Sequence, residues 1–251
     1  MAATGYRERA PSPDLAADVV CTWTGHIGDT GEPYTDRVLP DGCVDVIWDG
    51  TRLLVAGPDT GPVPLTPAPG TTFVGIRLRP GRAAGVVARP VSDIRDQRPD
   101  LAELWGRPHS DRLGTQAAEA ADTSAVEGLL ERAVRQRLAA APAPDHTVDA
   151  LVATLRAQSP TGPGLVAALA TDLGVSERSL HRRCSAAVGY GPKTLDRVLR
   201  FRRALALAGL HTGAGLGALA AAAGYADQAH LTRECRRMSG RTPSELFKTR
   251  T

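Results

Sequence analysis

Residues 164–192 read GLVAALATDLGVSERSLHRRCSAAVGYGP, and residues 215–243 read GLGALAAAAGYADQAHLTRECRRMSGRTP. The two stretches align at an offset of 51 residues after the central turn, where Leu180 matches Leu231, and of 50 residues before it. The second stretch therefore has one extra residue in its turn. Self-similarity of this length indicates two copies of one supersecondary unit.

Each copy predicts two helices that are separated by a tight turn. In the first copy an apolar helix ends at Gly174, and the Ser176 hydroxyl is placed to cap a second helix. In the second copy the corresponding residues are Gly224 and Asp227. An apolar helix, a glycine turn and a capped polar helix are the parts of a helix-turn-helix.

The second helix of each copy has an apolar face and a polar face. Leu180 and Cys184 lie four residues apart, as do Leu231 and Cys235, and we expect them to point inward. The polar faces carry side chains that suit base edges and phosphates, so we predict DNA binding there. The predicted DNA-binding residues are Ser176, Arg178, Ser179, His181, Arg182, Asp227, Gln228, His230, Thr232 and Arg233. For the arginines, phosphate contact competes with base readout.

The charge of the chain is divided in the same place as its helical pattern. Residues 147–251 hold 15 Lys and Arg against 7 Asp and Glu, whereas residues 1–146 hold 15 against 20. A basic half joined to an acidic half suggests that only one of them meets a polyanion. The stretch APAPD, residues 141–145, is the best linker in the chain.

The N-terminal half predicts strands followed by helices. Val44, Val46 and Trp48 alternate with more polar residues, and TTFVGIRLR at 71–79 alternates similarly. The Pro- and Gly-rich stretch 57–70 predicts a loop, and residues 1–13 predict a frayed tail.

The fold class we expect is α+β: a small β-rich domain followed by helices, and an all-α C-terminal domain with two helix-turn-helix units joined by a long helix. The boundaries are 1–140 for a sensor or regulatory domain (β-rich 14–90, helical 91–140), 141–146 for a linker, and 147–251 for a DNA-binding domain (first unit 165–189, connecting helix 192–208, second unit 216–240).

The C-terminal pattern resembles the AraC/XylS family of transcription regulators. The residues that carry the resemblance are A-x3-G-x-S-x3-L-x-R from Ala170, G-x2-P from Gly189, GYADQAHLTR from Gly224 and GRTP from Gly240. The resemblance covers residues 150–250 and implies two recognition helices that enter successive major grooves on one face of the duplex. Carried over by position, the base-contacting candidates are Arg178, His181 and Arg182, then Gln228, Ala229, His230, Thr232 and Arg233. The family usually has Phe where this chain has Cys184 and Cys235.

The N-terminal half resembles an uncharacterised sensor domain of actinobacterial AraC-type regulators, through LPDGCVDVIWDG, VAGPDT and GIRLRPG. By analogy, residues 14–90 would sense a small molecule and 100–140 would form a helical dimer or docking element. The candidate effector-binding residues are Cys43, Asp45, Trp48 and Arg77. A solvated hairpin face explains the acidic residues near Cys43 equally well, and Cys21, His26 and Cys43 fit no standard metal spacing.

Composition limits the remaining function classes. The chain is 42% apolar and 23% charged, lacks a run of 18 apolar residues and shows no export signal, so we expect a cytoplasmic protein that does not enter a membrane. Four cysteines without a CxxC pair indicate reduced thiols.

We expect a regulator that is not an enzyme and needs no metal or cofactor. Its expected partners are promoter DNA and an unidentified small-molecule effector, with RNA polymerase and a second copy as candidates. The alternatives are a thiol-based redox-sensing regulator and a DNA alkyl-repair enzyme with a DNA-binding module.

Overall fold

A computed structural model describes residues 5–29, 36–157, 164–210 and 215–248. The strands are β1 Gly5–Arg9, β2 Val19–His26, β3 Asp36–Val38, β4 Val44–Trp48, β5 Leu53–Ala56, β6 Val63–Leu65 and β7 Thr72–Leu78. The helices are α1 Ala83–Val87, α2 Leu101–Trp105, α3 Arg107–Ala118, α4 Thr123–Ala140, α5 His146–Ala157, α6 Leu165–Asp172, α7 Glu177–Val188, α8 Pro192–Leu210, α9 Leu216–Ala223, α10 Gln228–Ser239 and α11 Pro243–Lys248. The predicted α+β class is confirmed.

Five strands form an antiparallel sheet in the order β1-β2-β7-β4-β5, and β3 pairs with β6 separately. The predicted alternation is confirmed, because Val46 and Trp48 in β4 are buried on the same face as Ile76 in β7. A strand that covers a core on one side alternates in this way, since successive side chains point to opposite faces. In the turn after β4 the amides of Thr51 and Arg52 donate to the Asp49 carboxylate.

Helix α4 covers the apolar face of this sheet. It begins where the Asp122 carboxylate accepts from the Ala125 amide, and it buries Val126, Leu130 and Val134 against the strands. The helix is therefore part of the N-terminal core, and a role in dimer formation stays a prediction.

Two predictions for the N-terminal half are wrong in part. Residues 1–4 lie outside the described chain, but Gly5–Arg9 forms the edge strand β1 rather than a frayed tail. Buried carboxylates on α4 hold this segment, since Arg9 pairs with Glu127 and the Ser12 hydroxyl donates to Glu131. The loop 57–70 also contains a short strand, β6. The β-rich part of the domain thus starts before residue 14.

The C-terminal half is entirely helical in its described residues. The connecting helix α8 runs from Pro192 to Leu210, slightly longer than expected, and buries Leu195, Val198 and Phe201 at the centre of the second core. Among the described residues no helix is both long and apolar enough to cross a membrane. The same residues contain no group of three or more His, Cys, Asp or Glu side chains arranged to hold a metal ion.

Candidate nucleic-acid interface

The first candidate recognition helix, α7, begins at Ser176. The Ser176 hydroxyl accepts a hydrogen bond from the Ser179 amide at 3.2 Å, which satisfies one of the free amides of the first turn. The helix ends at Gly189, which has φ +98° and donates its amide to the Ser185 carbonyl. Leu180 and Cys184 are fully buried, so the inward face is the predicted one.

The second candidate recognition helix, α10, repeats this construction. The Asp227 carboxylate accepts from the His230 amide at 2.6 Å, and Gly240 ends the helix with φ +69°. Leu231 and Cys235 are fully buried, as their counterparts in α7 are.

The turns that precede the two recognition helices share their hydrogen bonds as well as their glycines. The amide of Val175 donates to the Ala170 carbonyl at 2.9 Å, and that of Tyr225 donates to the Ala220 carbonyl at 2.8 Å. Hydrogen bonds between residues five positions apart are typical of helix ends at which a glycine adopts the left-handed conformation. The extra residue of the second copy is Ala226, which lengthens the turn before the Asp227 cap. The repeat read from the sequence is therefore a repeat of structure.

Three arginines are exposed on the polar faces of α7 and α10. No described residue forms a hydrogen bond or an ion pair with the guanidinium group of Arg178, Arg182 or Arg233. Gln228 is also exposed, in the first turn of α10. Free guanidinium groups beside the N-terminal turns of two helices can donate to phosphates or to guanine edges.

The remaining predicted residues contribute to local structure. The His181 ring lies against Gly191, and the His230 ring packs edge-on to Tyr225 with ring centroids 5.2 Å apart. The Thr232 hydroxyl donates to the Gln228 carbonyl one turn earlier. The side chains of Ser176 and Asp227 cap their helices, and Ser179 supplies a capped amide. These groups shape the interface, whereas the arginines and Gln228 are free to reach DNA.

Ion pairs fix the recognition helices to their neighbours. The Arg197 guanidinium on α8 forms a two-point pair with Glu234 on α10, with Nε–Oε2 2.9 Å and Nη2–Oε1 3.1 Å. On α7 the guanidinium of Arg183 contacts the Asp145 carboxylate at 3.1 Å, next to the start of α5. Paired guanidinium–carboxylate contacts of this kind restrict orientation as well as adding energy.

Two further exposed arginines, Arg236 and Arg237, lie in the last turn of α10 and were missed by the sequence reasoning. Their signal was the spacing from Arg233, since residues three and four positions later share a helix face. Cationic side chains in a last helical turn also favour the helix dipole, so this position alone does not separate DNA contact from helix stabilisation.

The sheet brings only some of the predicted effector-binding residues together. Arg77 reaches Asp45 with Nη2–Oδ2 3.0 Å, and burial raises the pKa of Asp45 against the opposing charge of Arg77. The Cys43 amide donates to Asp41, and burial raises the pKa of the Cys43 thiol. Trp48 instead points to the opposite face of β4, into the core. Because successive side chains of a strand point to opposite faces, Trp48 cannot share a site with Asp45.

Two family models match separate parts of the chain. Residues 7–100 match the model of a domain of unknown function (DUF6597), and residues 169–249 match that of a helix-turn-helix domain. None of the curated proteins compared with the chain matches it.

Several solved structures show a distant likeness. A probable AraC family transcriptional regulator from Rhodopseudomonas palustris is 23% identical, with a TM-score of 0.37 over 42% of this chain and 97% of its own. ToxT from Vibrio cholerae is 10% identical, with a TM-score of 0.46 over 98% of each chain. ToxT bound to (E)-4-(8-methylnaphthalen-1-yl)but-3-enoic acid is also 10% identical, with a TM-score of 0.46 over 100% of this chain and 99% of its own.

The duplicated unit, its two capped helices and the match over residues 169–249 agree with the resemblance found in the sequence. Residues 169–249 therefore form a helix-turn-helix domain.

Proposed function

We propose that the chain binds a specific promoter sequence through α7 and α10 and that an effector in the N-terminal half controls this binding. One observation supports DNA binding most directly: free guanidinium groups lie on equivalent faces of two structurally repeated helices. Arg178 and Arg182 lie on the first helix, and Arg233 and Gln228 lie on the second. The other predicted residues position these groups.

Binding would depend on phosphate neutralisation as well as base contact. Replacing an arginine that reads a guanine should cost about 1–3 kcal/mol of binding free energy and relax specificity at one base position. Replacing one that contacts phosphate should weaken binding to all sequences similarly and lower the salt slope by about 1. Arg182 and Arg233 can therefore be assigned separately.

The experiment is selection of binding sequences from a random DNA pool by the wild-type chain. Affinities of the selected duplex are then measured for Arg182→Ala, Arg233→Ala and the double variant over a range of salt concentrations. Arg52→Ala is the matched control, because Arg52 is exposed and pairs only locally with Asp49. Absence of any selected sequence, or unchanged affinity in the double variant, would contradict the proposed interface.

Effector control is supported by a cleft of about 910 Å³ between the two halves of the chain. One wall is built from α1 and the end of α4, and the other from α7, including Arg182. Small residues form much of the lining, and Arg137 stacks its guanidinium over the Trp105 ring at the edge of the cleft. A ligand in this cleft would touch the recognition helix directly. Cys43, Asp45 and Arg77 stay a second predicted location.

A screen of small anions and neutral metabolites by thermal shift tests this control. We expect a ligand that raises the melting temperature of the wild type, acts less on Arg137→Ala, and changes affinity for the selected DNA. A ligand that stabilises the chain without changing DNA affinity would contradict effector control by that compound.

The two thiol-based alternatives have no support in the described residues. Burial raises the pKa of Cys21 to about 11 and the pKa values of Cys184 and Cys235 to about 12. A reactive cysteine needs a thiolate, which a lowered pKa supplies. We therefore propose that DNA binding does not depend on thiol oxidation and that the chain transfers no alkyl group.

A further inference from the structure

The C-terminal ends of both recognition helices contact the N-terminal domain at equivalent positions of the repeat. Gly189, at the end of α7, lies so close to Pro58 that a Cβ on the glycine would overlap with the proline ring. Gly240, at the end of α10, lies against the guanidinium of Arg37. The Arg37 Nη1 donates to the Ser239 carbonyl at 2.9 Å. A cation at this position also complements the negative end of the helix dipole.

One short stretch, Gly57–Gly61, contacts the end of α7 and passes close to the end of α10; it is called the bridging segment. Pro58 meets α7, while a Cβ on Gly61 would lie 3.9 Å from the Arg237 carbonyl in α10. Three residues of extended chain span at most about 11 Å, so this segment is a short bridge between the two helix ends.

The bridging segment is firmly attached to the N-terminal domain. Its first residue, Gly57, packs on the Ile94 carbonyl too closely for any side chain, and its amide donates to the Gln97 carbonyl at 3.0 Å. The Asp96 carboxylate accepts from the Thr60 amide at 2.7 Å, and the Asp96 amide donates to the Pro58 carbonyl. The segment is therefore held along its length and not only at its ends.

An ion pair between Asp59 of this segment and Arg98 strengthens the attachment. Asp59 is only 6% exposed, and its carboxylate accepts from Arg98 at 2.6 Å. Asp96 itself adopts a left-handed conformation with φ +57°, which Asp tolerates better than most residues. Strained backbone of this kind persists where the surrounding contacts determine it.

We propose that the bridging segment and Arg37 together position the two recognition helices and so determine the spacing of the half-sites that the chain accepts. This role rests on the proposed function. Arg37 and Pro58 are positioning residues, because they touch the ends of α7 and α10 that lie opposite the capped turns. The connecting helix α8 alone would otherwise set the spacing.

The first test measures this positioning without DNA. Spin labels at Asp172→Cys on α6 and Ala222→Cys on α9, both exposed, report the distance between the two helix-turn-helix units in the full chain. We expect a single narrow distance distribution, and a broader or shifted one when Arg37→Ala and Pro58→Ala are combined. Arg52→Ala is the control, and helix content by circular dichroism confirms folding. An unchanged distribution would show that α8 sets the spacing and would overturn the proposal.

The second test uses the DNA selected by the wild type, with the half-site spacing changed by one and two base pairs. The double variant should lose about fivefold or more of the preference for the selected spacing, while it binds a single half-site as the wild type does. Arg37→Lys, which retains a donor for the Ser239 carbonyl, should restore part of that preference. Equal loss on single and paired half-sites would contradict a positioning role. Failure of the wild type to select any DNA would refute the proposed function and leave the distance result intact.

Discussion

The two helix-turn-helix units have the same internal construction but different contacts with the rest of the chain. Each has a left-handed glycine after its first helix, an oxygen cap at the start of its second, and a Leu and a Cys that are fully buried. The end of the first recognition helix packs Gly189 against the Pro58 ring, whereas the end of the second is held by the Arg37 side chain. The two units therefore share the residues that determine their internal construction and differ in their outer contacts.

The turns and the histidines near them differ between the two units. Ala226 lengthens the second turn, and the Ala226 amide approaches Nδ1 of His230 at 3.5 Å while the His230 ring packs on Tyr225. In the first unit, His181 instead lies against Gly191 at the other end of the helix. A histidine thus supports the start of α10 and the end of α7. The polar faces of the two helices can consequently read different sequences.

The largest expected effect tests the shared construction. Leu180→Ala and Leu231→Ala each remove a fully buried side chain and should cost about 2–5 kcal/mol, by similar amounts. Urea unfolding followed by circular dichroism measures this loss. All three tryptophans lie in the N-terminal half, so their fluorescence reports separately on that domain. A loss confined to one unit would show that the two cores are not equivalent.

The second prediction tests the difference between the units. Gly189→Ala and Gly240→Ala both force a left-handed conformation on alanine, which costs about 1–2 kcal/mol. Only at Gly189 does the new methyl also meet a rigid proline ring, because Arg37 beside Gly240 can move its side chain. Overpacking should add about 1–3 kcal/mol at Gly189. Urea midpoints decide the comparison, and an equal or larger loss at Gly240 would place the tighter contact in the second unit.

Smaller effects are expected from the caps. Ser176→Ala and Asp227→Ala each leave a first-turn amide without its acceptor and should cost about 0.5–2 kcal/mol. Thermal unfolding of the helical signal measures the cost, with Ser176→Asp as a control that retains a cap. If the alanine variants melt with the wild type, water satisfies these amides and the caps do not define the start of the helices.

The repeat explains why the C-terminal half could be predicted closely from sequence. Gly174, Ser176, Gly224 and Asp227 act through their own backbone conformation and nearest amides, so their roles are local and visible in the residue order. The long helix followed from the Pro192 start and an unbroken helical pattern.

The N-terminal half was less predictable because its determinants are distant in sequence. Gly5–Arg9 is a strand because β2 and the carboxylates of α4 hold it, and no local pattern reports those partners. Of the predicted effector residues, Trp48 alone lies on the wrong face, and alternation along β4 already separated it from Asp45. The contact of Arg37 with Ser239 joins residues about 200 positions apart, and nothing in either local sequence indicates it.

The smallest expected effect uses the equivalent cysteines as probes of local opening. Cys184 and Cys235 are fully buried, so modification requires each unit to open. The end of α7 meets the rigid Pro58 ring, whereas the end of α10 is held by the flexible Arg37 side chain, so Cys235 should be modified faster than Cys184. Mass spectrometry of peptides after timed alkylation measures both rates in one sample. Faster modification of Cys184 would contradict the stronger attachment of the first unit.

The pH dependence of stability tests the burial of the same two thiols in a second way. Burial raises the pKa values of Cys184 and Cys235 from 9.0 to about 12, so the folded chain retains thiol protons that the unfolded chain loses above pH 9. The stabilisation is therefore complete below pH 9 and decreases as the pH rises toward 12. Replacing both cysteines with alanine should flatten the alkaline part of the stability profile, measured by urea unfolding between about pH 8 and pH 11. An unchanged profile would mean that these thiols ionise alike in both states, which is incompatible with their burial between the paired helices.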